Sequence, residues 1–292
     1  MTISSVALLG FGEVNQRLAA DLQKAGITRL TAWDVKLADA GSIPSRAIAG
    51  TGVTAAASAV EAVAGADLVL SAVTAANDHA AALSVAPGIG KGAFYLDMNS
   101  ASPGQKLESA AAIDGAGGRY VEAAVMSPID PKRIASPMLL GGPHAADFLA
   151  QALPLGFAGC SVYADRIGPA SATKMCRSVI IKGTESLLTE SMLAARKWGV
   201  EQDVLASLSN LLPFGDWEKL AAYMISRSLE HGVRRAEEMR EVAKTVAETG
   251  VEPLMSSATA ARQDWSAQYR DALADPSLAG MIDAIRAKID AS

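Results

Sequence analysis

Cysteine and histidine are scarce in this 292-residue chain: two of the first and three of the second. Cys160 and Cys176 cannot build a disulfide framework, and no C-x-x-C or H-E-x-x-H cluster is present, so no metal is expected. Long apolar runs are also missing. Nothing approaches the ~18–20 consecutive apolar residues of a membrane helix. The opening VALLGFG run lacks the basic start and small-residue cleavage site of a signal peptide. A membrane partner is therefore not expected, and a cytoplasmic setting is. Positive charge is in deficit: 26 basic against 31 acidic residues leave a net charge of −5, which argues against a nucleic-acid partner. Half of the residues are hydrophobic. The mean hydropathy of +0.21 owes much to alanine. At about 100–200 residues per domain, the length suits two domains.

The first half alternates short apolar or β-branched runs with alanine-rich stretches, the rhythm of a doubly wound parallel sheet. Strands are expected at Ser5–Leu9, Leu30–Trp33, Leu68–Val73, Ala93–Asp97, Arg119–Val125 and around Leu139–Leu140, with helices at Glu13–Ala25 and about Ala56–Ala64. The unbroken apolar run from Leu68 fits a strand buried on both faces. Near Gly168 the character changes. Pro169 suits the first turn of a helix, where its missing N–H is not needed. A helix can then run to Trp198, with Gly183 tolerated at a cost of about 1 kcal/mol. The remainder reads as helices punctuated by Gly199, Pro213, Gly232, Gly250, Pro253 and Pro276. The expected fold is an α/β Rossmann-type doubly wound sheet domain over 1–167, followed by an all-α domain over 168–292. Leu187, Leu188, Met192, Trp198, Leu211, Leu212, Phe214, Trp217 and Met224 are assigned mainly to the core of the second domain, and Cys176 is assigned to core as well.

Gly10-Phe11-Gly12-Glu13-Val14-Asn15 follows the first strand and opens a helix, the placement that a dinucleotide fold requires. Gly10 permits the tight turn, and Gly12 lets the backbone approach a pyrophosphate at the helix N-terminus. Asn15 stands where a third glycine would allow close helix–strand packing, so the helix is expected to sit slightly outward. Asp34 ends the second strand about 20 residues on, where a carboxylate accepts hydrogen bonds from ribose hydroxyls and repels a 2′-phosphate. That favours NAD, with NADP not excluded because Lys36 is adjacent. The alternative is that Asp34 is a turn or cap residue.

Beyond this point five motifs occur in order: GFGEVN, Asp97–Pro103 (DMNSASP), Glu122–Pro128 (EAAVMSP), Leu140-Gly141-Gly142 and Gly168–Lys174 (GPASATK). Together they resemble the β-hydroxyacid and 6-phosphogluconate dehydrogenase superfamily (3-hydroxyisobutyrate dehydrogenase-like) over nearly the whole chain. The resemblance implies a cofactor site formed by Gly10, Phe11, Gly12, Glu13, Val14, Asp34, Val73, Thr74 and Asn99. It implies substrate contacts from Asn99 and Ser100, which replace the family's Ser-Thr pair. In the next segment the family serine is Met126 here, and the hydroxyl moves one place to Ser127. It further implies that Lys174, early on an interdomain helix, is the general acid/base. Hydroxyl oxidation needs a group to take a proton, and carbonyl reduction needs one to return it.

Ser178 holds the place of the family asparagine one turn beyond Lys174. Arg177 has two readings, a substrate-carboxylate clamp or a surface arginine. Near the end, Arg240, Glu241 and Val242 stand where the family has K-D-L. Arg240 is either a ligand contact or part of an exposed charge-paired face with Glu237, Glu241 and Lys244. This segment resembles a branch with a divergent C-terminal domain. The implied function is NAD(P)-dependent interconversion of a small β-hydroxy acid, or β-hydroxy amino acid, with its oxo form. A carboxylic acid is then the small-molecule partner, and a homodimer forms through the helical domain. The alternatives are a carbonyl or imine reductase on the same fold, or a catalytically silent dinucleotide-binding protein.

Overall fold

The computed structural model describes residues 3–208 and 215–291. Leu211, Leu212, Pro213 and Phe214 lie outside the described residues. The chain divides into two compact units, Met1–Met175 and Cys176–Ser292.

The first unit is built on an eight-stranded sheet in the order β3-β2-β1-β4-β5-β6-β7-β8. Its strands are β1 (Ser5–Leu9), β2 (Arg29–Trp33), β3 (Thr54–Ala55), β4 (Leu68–Ser71), β5 (Phe94–Asp97), β6 (Arg119–Val125), β7 (Met138–Gly141) and β8 (Cys160–Ala164). All neighbours pair in parallel except β6 and β7. Helices α1 (Glu13–Lys24), α2 (Ile43–Ile48), α3 (Ala59–Val63), α4 (Asp78–Val85), α5 (Pro103–Gly115) and α6 (Ala145–Ala152) connect them.

Strand β1 shows why the sheet is buried on both faces. Its alternate residues Val6 and Leu8 join one apolar cluster, while Ala7 and Leu9 join another. A strand period of two sends neighbouring side chains to opposite faces, so a continuous apolar run needs cover on each side. Helix α1 meets that need with an i, i+3, i+4, i+7 face of Asn15, Leu18, Ala19 and Leu22. Glu13 in its first turn and Lys24 in its last complement the helix dipole. The chain runs outward from β1 to β3 and then returns to β4 on the other side of β1. The carboxyl ends of β1 and β4 therefore flank a topological switch point, the place where open α/β sheets bind ligands.

Helix α7 (Pro169–Trp198) spans the expected range and is 30 residues long. Both units include part of it, since the division falls after Met175. That is somewhat beyond the expected 167/168 boundary. The first turn of α7 is hydrogen-bonded to Glu122 of β6, which ties it to the sheet.

The second unit continues with α8 (Glu201–Leu208), α9 (Trp217–Ala247), α10 (Leu254–Ala267) and α11 (Leu278–Asp290). Its core gathers Leu188 and Met192 of α7 with Leu205, Ile225, Leu229, Met281, Ile282 and Ile285. Trp217 and Met224 pack partly against it. Three expected core residues are outside it instead: Leu187 and Trp198 are 61% and 81% exposed, and Cys176 is exposed. Leu187 directly precedes buried Leu188, and one step of a helix turns a side chain by about 100°, off the packed face. Trp198 is the last residue of its helix.

Gly232 does not punctuate anything. It lies buried inside the continuous helix α9, and a Cβ there would come within 2.4 Å of the Gln263 carbonyl on α10. The glycine is needed for close helix approach. Among the described residues no helix is long and apolar enough to cross a membrane, and no metal-holding cluster of His, Cys, Asp or Glu occurs.

Candidate functional site

The switch point is assembled from the loops that leave β1, β2, β4 and β5. Gly10 turns with a φ of 75°, a conformation that favours glycine, and its N–H donates to the Trp33 carbonyl at 2.9 Å. A Cβ on Gly10 would lie 2.6 Å from the Ala72 carbonyl, so the β1 and β4 loops touch here only because the side chain is absent. Gly12 is the N-cap of α1. No side chain caps the helix there, and the space around its missing Cβ is open. Uncapped N–H groups and a positive dipole end beside open space are what a phosphate requires. The donor set fits a dinucleotide. Glu13 and Val14 follow in the first turn, the former exposed and the latter half-buried.

Two details of this loop differ from the expectation. Asn15 does not hold α1 away from the sheet. It is fully buried, and its Nδ2 donates to the carbonyls of Leu9 at 2.9 Å and Gly10 at 2.7 Å, with that of Leu70 at 3.3 Å. The amide thereby links the ends of β1 and β4. Phe11 turns its side chain into the core, and its N–H donates to Asp34 Oδ2 at 2.8 Å. Both are therefore engaged within the protein. Asp34 Oδ1 accepts from the Lys36 N–H at 2.9 Å. Asp34 is thus a turn residue and a clamp on the glycine loop, and it stands at the end of β2 where a ribose would be met.

Val73 and Thr74 follow β4. The Val73 N–H leaves the sheet ladder and donates to Asn99 Oδ1 at 2.7 Å, which is why β4 stops at Ser71. Thr74 Oγ1 accepts from Asn77. Asn99 is only 4% exposed, and both of its amide protons are engaged, with Ser71 Oγ at 3.0 Å and Asp78 Oδ1 at 2.6 Å. Its amide group is a brace between loops, and no amide proton is left for a substrate. Ser100 is half-buried, and its Oγ accepts from Lys174 Nζ at 2.7 Å. Two residues 74 positions apart, both expected at the reacting centre, are thus brought together.

Glu122 holds Lys174 there, and the sequence reading gave it no role. It is completely buried in β6. Its Oε2 accepts from Gly168 N–H at 2.8 Å and its Oε1 from Ser171 N–H at 2.6 Å. A carboxylate on the free N–H groups of a helix start is favoured by both hydrogen bonding and the dipole. Gly141, opposite on β7, leaves the room: a Cβ there would meet Glu122 Oε2 at 2.5 Å.

A second group is deeper. Lys106 of α5, Asp78 of α4 and Asp97 of β5 are all buried, with Lys106 Nζ 2.6 Å from Asp97 Oδ1 and 3.9 Å from Asp78 Oδ2. Burial pushes the Asp78 carboxyl up to about 8, with Lys106 opposing and the Asp97 charge reinforcing the shift. Burial acts on Asp97 in the same sense. There the Lys106 charge and hydrogen bonds involving Asp78, Lys106 and Tyr120 outweigh it, and the carboxyl sits below its ordinary value. A lysine one turn into a helix looks like a solvated residue in sequence, and only the tertiary fold shows otherwise.

The other expected residues stand in the β6–β7 connection, on α7 and on α9. Ser127 Oγ donates to the Pro128 carbonyl at 2.9 Å in the connection between β6 and β7. Arg177 is exposed and Ser178 is 8% exposed, both on α7 in the second unit. Arg240 lies on α9 with an exposed side chain and pairs with Asp264 of α10, and Lys244 pairs with Glu241 at 2.7 Å. Glu241 itself is buried, and Arg240 pairs across to α10 and not with Glu237.

An open phosphate cradle at a switch point, with an acid at the end of the second strand, defines the class: a dinucleotide-binding α/β protein. Residues 5–152 match the NAD binding domain of 6-phosphogluconate dehydrogenase, and the chain belongs to that family. Residues 195–266 match a domain of unknown function, DUF1932. A conserved hypothetical protein from Sinorhizobium meliloti 1021 is 33% identical, with 98% of this chain and 96% of that one covered and a TM-score of 0.75. The conserved protein MTH1747 of unknown function, which has structural similarity to 3-hydroxyacid dehydrogenases, is 30% identical. It covers 90% of this chain and 96% of its own, with a TM-score of 0.69. The 3-hydroxyisobutyrate dehydrogenase of Mycobacterium tuberculosis shares the fold at 20% identity, over 98% and 100% of the two chains, with a TM-score of 0.70.

Proposed function

We propose that this chain is an NAD-dependent oxidoreductase that interconverts a small β-hydroxy acid and its oxo form, with Lys174 as the group that moves the proton. The observation that carries the reading is the 2.7 Å hydrogen bond from Lys174 Nζ to Ser100 Oγ. It places a half-buried amine beside the loop that Asn99 ties to the β4 end of the cofactor cradle. The similarity to MTH1747, itself similar to 3-hydroxyacid dehydrogenases, supports the substrate class. A bound nicotinamide dinucleotide supplies the hydride exchange.

The protein's part is positional and protolytic. In oxidation, Lys174 Nζ takes the hydroxyl proton as the C–H electron pair leaves with its hydrogen; in reduction, Nζ returns the proton to the carbonyl oxygen. Ser100 Oγ orients Nζ, and Glu122 fixes the helix turn from which Lys174 projects. Asp34 favours NAD, since a carboxylate at that place repels a 2′-phosphate.

Titration with NADH and NADPH, followed by a β-hydroxy acid panel on wild type and Lys174→Ala, tests the reading. General acid–base groups contribute about 10²–10⁴-fold. Lys174→Ala is expected to lose turnover in that range while the NADH dissociation constant stays within about twofold. Unchanged turnover in the variant removes the proton-transfer role. No saturable binding of either nucleotide removes the oxidoreductase reading altogether.

A further inference from the structure

The buried group around Lys106 invites a question that the proton-transfer reading does not answer. Asp97 is ion-paired with Lys106 Nζ at 2.6 Å and accepts from Tyr120 OH at 2.6 Å and from Asn99 N–H at 3.0 Å. Asn99 in turn donates to Asp78 and Ser71 and accepts from Val73 N–H. Lys106 of α5 and Tyr120 of β6 thus converge on Asp97 of β5, which holds the Asn99 backbone, while Asp78 of α4 holds the Asn99 side chain that ties the loop after β4 to the loop after β5. On one side of Asn99 is the Ala72 carbonyl against Gly10; on the other is Ser100 against Lys174.

A buried ion pair is weak evidence for stability, because well-packed apolar residues do as well or better. Its effect here is directional. Two donors and the Lys106 charge face the Asp97 carboxylate, and all three favour its ionised form. Without the Lys106 charge, a carboxyl at this depth takes up a proton. Protonation uses one of the lone pairs that face Tyr120 and the Asn99 N–H and removes the charge from the rest, so the hold on the Asn99 backbone weakens.

We propose that Lys106 is a positioning residue: through its ion pair with Asp97 it fixes Asn99, and through Asn99 it sets the geometry of the loops 71–74 and 97–100 that form the cofactor cradle. This rests on the nucleotide-binding reading of the cradle and not on the role of Lys174. Asp78 adds a pH dependence to the same group. Facing it are Asp97 and Tyr95 of β5, Tyr120 of β6 and Lys106 of α5, with Glu122 acting in turn on Lys106. Below about pH 8 its carboxyl is protonated, and the Asp78–Asp97–Lys106 set is neutral. Above that value a second carboxylate charge sits under the loops.

The experiment uses Lys106→Met and Asp78→Asn in the full chain, with three readouts: thermal unfolding, backbone hydrogen exchange without nucleotide, and NADH titration from pH 6.5 to 9.5. Lys106→Met is expected to exchange faster at 71–74 and 97–100, with helix 217–247 unchanged, and to bind NADH at least tenfold more weakly. Combining it with Asn99→Ala is expected to weaken binding no further than Asn99→Ala alone. A lowered unfolding temperature with wild-type loop exchange and wild-type affinity would make Lys106 a structural residue only and overturn the proposal. Should Lys106→Met not fold, the near-isosteric Asp78→Asn decides. Wild-type affinity is expected to fall as pH passes about 8 and the variant's to stay flatter, whereas parallel profiles overturn the proposal. If wild type binds no nucleotide, the cradle reading fails by itself. The exchange measurement still decides whether Lys106 orders the loops.

Discussion

In the sheet unit the buried carboxylates of Asp97 and Glu122 reach backbone N–H groups, those of Asn99, Gly168 and Ser171, Asp97 in addition to its side-chain partners Lys106 and Tyr120. In the helical unit the buried Glu185 of α7 meets only side chains, Arg235 of α9 and Gln263 of α10. The first arrangement fixes where loops and a helix start lie. The second joins three helices to one another. Burial pushes the Glu185 carboxyl up despite the nearby Arg235, so desolvation outweighs the attraction there. Buried charge is therefore a pointer to the site when it orders backbone at the carboxyl edge of the sheet. Where side chain meets side chain between helices it is architecture.

The largest effect expected from testing this contrast is at Glu185. Glu185→Ala leaves Arg235 buried without its partner and is expected to lower stability by about 3–5 kcal/mol. A double change to apolar residues at 185 and 235 is expected to cost far less. NADH affinity should be the same in all three proteins, and a shift in it would break the distinction.

Next is Glu122→Gln. The amide keeps one acceptor for two N–H donors, and losing a charge-assisted bond costs about 1.5–3 kcal/mol. Here turnover should fall along with the unfolding temperature, because the turn below Lys174 is released. Turnover left intact would place Glu122 with the architectural charges.

The smallest effect is expected at Gly232→Ala. Alanine gains up to about 1 kcal/mol of helix propensity, but overpacking costs about 1–3 kcal/mol. The contact at 2.4 Å is with backbone, which cannot rotate away. A net loss of about 1 kcal/mol in denaturant unfolding is expected, with no change in nucleotide binding.

Much of the sheet was legible in the sequence because its strands are buried on both faces. The runs Ser5–Leu9 and Arg119–Val125 coincide with β1 and β6. Strand β8 was not read, since Val162 and Tyr163 are exposed and the run carries no burial pattern. Helix α7 was read from Pro169 to Trp198 because nothing between them stops a helix. Gly232 was misread for the converse reason: a glycine needed for packing and one that ends a helix look alike without the partner helix. The glycine turn at Gly10 and the open helix start at Gly12 were read from spacing, whereas Val73, Thr74 and Asn99 came only with the resemblance. Lys106, Asp78 and Glu122 had no such signal, because their meaning depends on three-dimensional partners far away in the chain.

Asp34 holds the Phe11 N–H with one oxygen and the Lys36 N–H with the other. On the function proposed above, the carboxylate that sets cofactor choice is the same one that holds the loop rigid. An engineer who replaces it to admit a phosphorylated ribose also unties the glycine loop from the second strand. Nucleotide preference in this scaffold is more safely redesigned from the neighbouring positions, leaving Asp34 in place.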